Sequence, residues 1–198
     1  MAVETVVFDV GETLIDETGM WERAADAAGV PRFTLMGVLG GLAARGEPHN
    51  DVWGILGVDH PASTWEERDF YPDALPCLAE LRARGLYLGI AGNQSHELEE
   101  WIRGQGLQVD LVASLARWGV EKPSPEFFAR VVSGCGFAPD EVAYVGDRVD
   151  NDVEPARAAG LLAVHVRRGP WGYLQDASMA DLRVDSLAEL PDRLAAYV

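Results

Sequence analysis

Short apolar runs alternate with helical patterns along most of this chain, and this alternation constrains the fold more than any other feature. Five runs have the length and composition of β-strands, and the second of them is nearly free of polar residues, as expected for a strand buried on both faces. The runs occupy residues 3–8, 86–91, 109–113, 142–145 and 161–166. Repeated β–α units of this kind build parallel sheets. The sequence therefore predicts an α/β fold with a Rossmann-like, five-stranded parallel sheet flanked by helices.

One segment, residues 18–69, interrupts this alternation. It contains no strand pattern, and its apolar residues recur at helical spacing. We interpret it as a small α-helical cap inserted after the first strand, so that residues 1–17 and 70–198 form the core domain. Half of the chain's six tryptophans lie in the segment: Trp21, Trp53 and Trp65. We expect these tryptophans to form the core of the cap rather than to contact a substrate.

The net charge of the chain argues against some classes of binding partner. There are 32 Asp and Glu residues against 16 Lys and Arg residues, for a formal net charge of -16. Such a chain repels a phosphate backbone or an anionic lipid surface, so we expect neither nucleic acid nor membrane as a partner. The two cysteines lie in apolar stretches, as in a reducing compartment. The apolar run before Asp9 is too short for a signal peptide, and we predict a cytoplasmic protein of undefined oligomeric state.

Polar residues stand at the points where several of the predicted strands end. Asp9 follows the first strand, Asn93 the second and Asp147 the fourth, while Lys122 precedes a predicted helix. The carboxyl ends of parallel strands meet at one edge of a sheet, where ligands bind. Together with Asp152, the two aspartates offer the hard oxygen ligands that Mg²⁺ requires. Like charges this close are costly unless a cation offsets them, so the sequence predicts a Mg²⁺ site.

These segments together resemble the motifs of the haloacid dehalogenase-like (HAD) superfamily, specifically its phosphatases with a helical cap after the first strand. The segment Asp9-Val10-Gly11-Glu12-Thr13 resembles the family's Asp-x-Asp-x-Thr motif. Lys122-Pro123 resembles its lysine motif, and Gly146-Asp147 with Asp152 resembles Gly-Asp-x-x-x-x-Asp. The resemblance extends over essentially the whole chain.

The resemblance implies a hydrolase of the phosphomonoester phosphatase type, acting on a small phosphorylated metabolite through an aspartyl-phosphate. Asp9 would be the nucleophile, and Lys122 would neutralise charge between it and the phosphoryl oxygens. These roles agree with the need of phosphoryl transfer for positioning and charge stabilisation. The expected phosphate-binding residues are Gly92, Asn93, Lys122 and Arg148. The expected Mg²⁺ ligands are Asp9, the backbone carbonyl of Gly11, Asp147 and, directly or through water, Asp152.

Two positions depart from the family pattern. The family's second aspartate, usually the general acid and base, is Gly11 here, and the usual Ser or Thr of the second motif is Gly92. Loss of a general acid–base group typically slows a reaction by about 10²–10⁴-fold. Glu12, or another residue from the cap, is a candidate replacement for the acid–base group. Ser95, or the backbone amides of Gly92 and Asn93, are candidates to replace the missing hydroxyl.

The sequence is therefore compatible with three functions. The first is a weak or atypical phosphatase, and the second is a catalytically impaired relative that binds metal and phosphate or regulates another protein. The third, a 2-haloacid dehalogenase, is less favoured because those relatives work without metal, whereas Asp147 and Asp152 indicate one. His165, inside the fifth apolar run, is expected to be a core residue rather than a ligand. Arg148, Arg167 and Arg168 either bind an anionic substrate or carry surface charge.

Overall fold

The sheet has six parallel strands, one more than predicted. A computed structural model describes residues 2–197, and its strands are β1 (Thr5–Phe8), β2 (Tyr87–Gly92), β3 (Leu111–Ser114), β4 (Val142–Gly146), β5 (Leu162–Val166) and β6 (Leu182–Val184). The prediction of five strands is wrong because β6 is a three-residue edge strand with an exposed middle residue, Arg183, too short to give an apolar run. The α/β class and the parallel arrangement are confirmed.

The order of the strands places β1 in the middle of the sheet. The order is β3-β2-β1-β4-β5-β6, and Phe8 at the end of β1 pairs with Ile90 of β2 and Val145 of β4. Because all strands run in the same direction, the residues that follow β1, β2 and β4 emerge side by side at one edge. Asp9 lies at the centre of that edge.

Helices cover both faces of the sheet. In chain order they are α1 (Thr18–Ala28), α2 (Arg32–Arg45), α3 (Asp51–Leu56), α4 (Ala74–Ala83), α5 (His96–Gly104), α6 (Leu115–Trp118), α7 (Pro125–Cys135), α8 (Glu154–Ala158), α9 (Gly169–Leu174) and α10 (Leu190–Leu194). Apolar side chains of α4, α5 and α10 pack on one face of the sheet, and those of α7 and α8 on the other. Burial on both faces explains the nearly apolar strands. Over residues 2–197, none of the helices has the length and apolar character to cross a membrane.

Residues 18–69, which we call the insertion, contain α1, α2 and α3. Trp21 and Trp53 are buried in an apolar cluster within the insertion, and Trp65 packs against it. The predicted packing role is therefore confirmed, but Trp21 and Trp65 also line the cleft over the sheet edge, so the structure does not separate these two from a substrate. Helix α2 packs against α9, which follows the carboxyl end of β5. The insertion therefore lies over the same edge of the sheet as Asp9. The division of the chain into core and cap domains stays a prediction.

Candidate active site

Four side chains from separate segments meet at the carboxyl edge of the sheet. Asp9 follows β1, Lys122 precedes α7, Asp147 follows β4, and Asp152 lies in the π-helical turn Val149–Val153. One carboxylate oxygen from each aspartate lies within 4.8 Å of the others, and all four side chains are buried. We call Asp9, Lys122, Asp147 and Asp152 the carboxylate side of the site. Parallel strands thus bring together residues that are up to 143 positions apart.

Lys122 offsets part of this negative charge. Its Nζ lies 2.7 Å from Asp9 Oδ1 and 2.6 Å from Asp152 Oδ1. Burial alone would lower the pKa of Lys122, but the ion pairs with Asp152 and Asp9 outweigh it and raise the pKa above the usual value. The amine therefore stays charged. Lys122 is also the single lysine among the 16 Lys and Arg residues of the sequence, a signal that marks the residue before any motif is considered.

Asp147 is the member of this group without a partner. Over residues 2–197 its carboxylate makes no hydrogen bond or ion pair, and only its backbone carbonyl is engaged. Burial raises the pKa of Asp147 well above its ordinary value, and the charges of Asp152 and Asp9 add to the rise. When ionised, three carboxylates and one amine carry a net charge of -2. The donor set fits a divalent cation with oxygen ligands.

Local contacts hold Asp147 and Asp152 at the end of β4. His165 on β5 is buried, and its Nε2 lies 3.0 Å from the carbonyl oxygen of Asp147. The expectation that His165 is a core residue is confirmed, and burial lowers its pKa. The backbone N–H of Arg148 donates to Asp152 Oδ2 at 3.0 Å. An added Cβ at Gly146 would overlap the Asp152 carboxylate, so a residue without a side chain is needed there.

Asn93 holds the backbone of Lys122. The N–H of Lys122 donates to Asn93 Oδ1 at 2.7 Å, and Asn93 Nδ2 donates to the carbonyl oxygen of Lys122 at 3.1 Å. Both polar atoms of the amide are thus engaged in positioning the lysine. The backbone N–H of Asn93 is therefore the group that remains for the phosphate contact expected from the sequence.

Gly92 lies against Asp9, and a neighbouring side chain fills the space beside it. An added Cβ at Gly92 would overlap both Asp9 Oδ1 and Gln94 Nε2. Gln94 is buried, and its Nε2 donates to Asp9 Oδ1 at 3.3 Å. Ser95, one of the sequence candidates for the missing hydroxyl, instead caps α5 by accepting from the N–H of Leu98 at 3.3 Å. Gln94 is therefore a second side-chain donor next to Asp9, in addition to Lys122.

The space beside Gly11 is filled in the same way by Glu17. An added Cβ at Gly11 would lie 2.5 Å from Glu17 Oε1 and 3.0 Å from its Cδ. Glu17 Oε2 accepts from Trp21 Nε1 at 3.2 Å. Burial raises the pKa of Glu17 to about 8, and the negative charges of Glu12 and Asp9 add to the rise. We call this part of the site the glycine side, and its members are Gly11, Gly92, Glu17 and Gln94.

Glu12, the sequence candidate for the acid–base group, is held by two hydrogen bonds. The Tyr71 hydroxyl donates to Glu12 Oε2 at 2.5 Å, and the backbone N–H of Glu17 donates to Oε1 at 3.1 Å. Its φ of 50° is left-handed, a region that residues other than glycine rarely adopt. Glu12 therefore positions the start of α1, and Glu17 is the carboxyl group that lies against Gly11.

A cleft of about 980 Å³ opens over both sides of the site, between the sheet edge and the insertion. Trp21, His49 and Trp171 line its wall. The His49 ring lies between the two indoles, with centroid distances of 5.9 Å to Trp21 and 6.1 Å to Trp171. Burial lowers the pKa of His49, and the charge of Arg148 adds to the effect, so this aromatic wall is neutral near pH 7.

The three arginines that follow β4 and β5 have different places. Arg148 lines the cleft. Arg167 forms an ion pair with Asp185 at the surface, with Nε 2.7 Å from Oδ1. Arg168 is buried, and its Nη1 donates to the backbone carbonyl of Thr13 at 2.9 Å. Of these three, Arg148 is the one that lines the cleft, and its guanidinium also pairs there with Asp150, with Nη2 2.7 Å from Oδ2.

Both the sequence and this arrangement correspond to a known family. The family model described as haloacid dehalogenase-like hydrolase matches residues 3–160, which is most of the chain. This chain belongs to the haloacid dehalogenase-like hydrolases. The resemblance drawn from the motifs is thereby confirmed.

Curated relatives of this HAD chain carry phosphatase names. The glyceraldehyde 3-phosphate phosphatase of Methanocaldococcus jannaschii is 36% identical over 125 residues, which cover 62% of this chain and 55% of the relative. The phosphoserine phosphatase of Thermus thermophilus is 42% identical over 123 residues, which cover 61% of this chain and 49% of the relative. The chain spans about half the length of the curated relatives it matches.

Solved structures support the HAD fold. A HAD phosphatase from Thermococcus onnurineus matches with a TM-score of 0.67 and 24% identity, over 100% of both chains. The L-2-haloacid dehalogenase of Xanthobacter autotrophicus matches with a TM-score of 0.73 and 21% identity, over 99% of this chain and 100% of the other. At these identities the likeness concerns the fold alone and does not distinguish a phosphatase from a dehalogenase.

Sequence reasoning missed two side chains in the site of this HAD hydrolase, Gln94 and Glu17. Neither stands at a motif position, so no motif points to it. The available signal is indirect: Gly11 and Gly92 each stand where the family has a functional side chain, and a longer polar residue follows each of them within a few positions.

Proposed function

We propose that this HAD hydrolase cleaves phosphomonoesters in a Mg²⁺-dependent reaction that passes through an aspartyl-phosphate on Asp9. The observation that carries the proposal is the buried cluster of Asp9, Asp147 and Asp152, whose carboxylate oxygens lie within 4.8 Å of one another. Lys122 is the one amine that compensates them. So much negative charge in a small buried volume is costly, and a divalent cation at this point offsets it.

In this proposal, the cation is held by the carboxylates on the carboxylate side. Asp9 and Asp147 bind it, Asp152 binds it directly or through water, and the backbone carbonyl of Gly11 is the further ligand. When bound, Mg²⁺ supplies positive charge that stabilises the phosphoryl oxygens. Lys122 alone is insufficient because its ammonium group already pairs with Asp9 and Asp152.

The reaction divides into two steps at phosphorus. A carboxylate oxygen of Asp9 attacks, the bond to the leaving-group oxygen breaks, and that oxygen takes up a proton. Water then loses a proton and attacks the aspartyl-phosphate, which releases inorganic phosphate and regenerates the Asp9 carboxylate. Lys122 Nζ and Gln94 Nε2 lie against Asp9 and donate to the phosphoryl oxygens, because phosphoryl transfer depends on positioned donors and charge.

The proposed substrate is a small phosphorylated metabolite. The cleft volume of about 980 Å³ lies in the range of small-molecule sites. Relatives named for glyceraldehyde 3-phosphate and phosphoserine phosphatase activity support this class. Arg148 on the wall of the cleft is the candidate contact for an anionic group of the substrate. The net charge of -16 argues against nucleic acid.

A second candidate is a relative that binds metal and phosphate with negligible turnover. The observation that favours it is Gly92, which lacks the hydroxyl of the family's second motif. A 2-haloacid dehalogenase is less favoured, because the unpartnered Asp147 carboxylate indicates a cation and those relatives work without one.

Hydrolysis of p-nitrophenyl phosphate, with Mg²⁺ and with EDTA, tests the catalytic proposal. We expect Mg²⁺-dependent hydrolysis by the wild type and a loss of at least about 10³-fold in Asp9→Asn, since nucleophile removal in hydrolases costs as much or more. Glu154→Gln removes an exposed carboxylate on α8 and should keep the wild-type rate. Equal rates for the wild type and Asp9→Asn would remove the proposal.

Metal binding can be measured apart from turnover because the chain has a single lysine. Protein labelled with ¹⁵N-lysine has one lysine amide resonance, from the Lys122 N–H that donates to Asn93. Mg²⁺ should shift this resonance to saturation, and Asp147→Asn should weaken the binding by at least about tenfold through loss of ligand charge. Binding without hydrolysis identifies the second candidate. Chloride release from 2-chloropropionate without metal identifies a dehalogenase.

A further inference from the structure

The position two residues after Asp9 has no side chain with which to move a proton. In the family this position usually carries the aspartate that protonates the leaving group and later deprotonates water, and here it is Gly11. An alkyl leaving group must depart as an alcohol, so a phosphatase that acts on metabolites needs a positioned proton donor. The site must therefore obtain that group from another residue or lack it.

Glu17 places a carboxyl group in the volume that the missing side chain would occupy. A Cβ at position 11 would lie 2.5 Å from Glu17 Oε1, 3.0 Å from its Cδ and 3.6 Å from its Oε2. Glu17 lines the same cleft as Asp9 and Lys122. An aspartate at position 11 and the present Glu17 cannot occupy this space together. The two residues are thus sterically alternative ways to bring a carboxyl group to one place.

Neighbouring residues hold the Glu17 carboxyl group in this position. Trp21 Nε1 donates to Glu17 Oε2 at 3.2 Å, so the other oxygen, Oε1, is the one that lies closest to Gly11. Glu12 accepts from the backbone N–H of Glu17 at 3.1 Å, and Tyr71 fixes Glu12 from the other side. Glu12 is therefore a positioning residue for Glu17. A side chain held by such contacts is prepared for a role that depends on geometry.

We propose that Glu17 is the general acid and base of this site, in the place of the family's second aspartate. In the first step, the bond from phosphorus to the leaving-group oxygen breaks as Asp9 attacks, and that oxygen takes the proton of Glu17, which leaves an alcohol and the Glu17 carboxylate. In the second step, Glu17 takes a proton from the attacking water as the bond between phosphorus and Asp9 breaks. The proton balance closes, and Glu17 is ready for the next turnover.

This role rests on the proposed phosphatase function, and a comparison of two esters separates the two claims. Nitrophenolate leaves as a stable anion, whereas the alkoxide of glycerol 2-phosphate needs a proton. Glu17→Gln should lower kcat for glycerol 2-phosphate by about 10²–10³-fold, in the range of general acid loss, and should lower kcat for p-nitrophenyl phosphate several-fold at most. Glu22→Gln on the same helix, where Glu22 pairs with Arg32 at the surface, is the matched control and should leave both rates unchanged.

A swap of the two positions provides an independent variant. Gly11→Asp alone should not raise activity, because its Cβ meets Glu17. In Glu17→Ala that space is free, and Gly11→Asp/Glu17→Ala should recover at least about tenfold of the glycerol 2-phosphate activity lost in Glu17→Ala, as one restored acid group would. No recovery in the double variant would overturn the equivalence of the two positions.

The outcomes distinguish the two claims. A wild type that hydrolyses neither ester with Mg²⁺ overturns the proposed function and this role with it. A wild type that hydrolyses both, while Glu17→Gln slows both equally or neither, overturns the role of Glu17 alone. Retained Mg²⁺ binding at the Lys122 amide in Glu17→Gln shows that the variant is folded and that the loss lies in proton transfer.

Discussion

On the carboxylate side of the site, each functional side chain belongs to a motif position, whereas on the glycine side both motif positions are glycines and neighbours contribute the side chains. Strand pairing directly places Asp9 and Asp147, which follow adjacent strands. Glu17 and Gln94 instead reach the site by the length of their side chains. The difference teaches that strand register fixes where a motif position lies. A side chain that is missing at such a position can be replaced by one that reaches the same space from a nearby position.

The two sides also differ in charge. The carboxylate side depends on Lys122 and a cation, since its three aspartates are buried together. On the glycine side, Gln94 is neutral, and burial raises the pKa of Glu17 to about 8. Substitutions on the carboxylate side should therefore alter charge balance and metal binding, and those on the glycine side should alter turnover or packing and leave metal binding unchanged.

The largest effect is expected for Lys122→Met, which leaves Asp9 and Asp152 buried without their partner. Breaking a buried ion pair from one side typically costs about 3–5 kcal/mol of unfolding free energy. Urea unfolding in EDTA should show this loss, and Mg²⁺ should recover part of it by offsetting the same carboxylates. A variant as stable as the wild type in EDTA would contradict the charge difference between the two sides.

Gln94→Ala should come next, through turnover rather than metal binding. Its Nε2 is the amide donor beside Asp9, and loss of one such donor typically lowers kcat by about 10²–10³-fold. We expect the lower end of this range with p-nitrophenyl phosphate, and an unchanged Mg²⁺ response of the Lys122 amide. The exposed Gln108→Ala is the control. Weakened Mg²⁺ binding in Gln94→Ala would show that the two sides of the site do not act separately.

Gly92→Ala should destabilise the protein although it adds only a methyl group. The Cβ would overlap Asp9 Oδ1 and Gln94 Nε2, and overpacking of this kind costs about 1–3 kcal/mol. The matched control is Gly104→Ala in α5, where an added Cβ meets nothing within 4 Å, and this variant should be at least as stable as the wild type. Thermal unfolding of both variants measures the difference, and equal melting temperatures would refute it.

The smallest effect concerns the neutral aromatic wall of the cleft, which Trp21, His49 and Trp171 form. Burial lowers the pKa of His49 below 6.5, so between its folded pKa and 6.5 the unfolded chain binds a proton that the folded protein does not. The contribution is fully present above pH 6.5 and falls as the pH decreases, with a slope of at most about 1.4 kcal/mol per pH unit. His49→Gln should remove this slope from urea unfolding measured between pH 5 and 7. An unchanged slope would show that folding does not lower the pKa of His49.

The strand ends were predictable because their signal is local. An apolar run that stops at an aspartate identifies both the strand and the residue at its carboxyl end, as for Asp9 and Asp147. The edge strand β6 gave no such signal, because an exposed Arg183 divides its two buried residues. Glu12 and Ser95 illustrate the converse. Each is close to the site in sequence, but Tyr71 and the start of α5 engage their side chains.

The sequence alone determined the α/β fold, the edge of the sheet that carries the site and the residues of its carboxylate side. These follow from the apolar periodicity of the sequence and from the common direction of parallel strands, which local patterns indicate. The tertiary structure alone decided which side chains occupy the space next to Gly11 and Gly92. That outcome depends on where the first helix of the insertion and the start of α5 are packed, and packing between distant segments sets it rather than any local pattern.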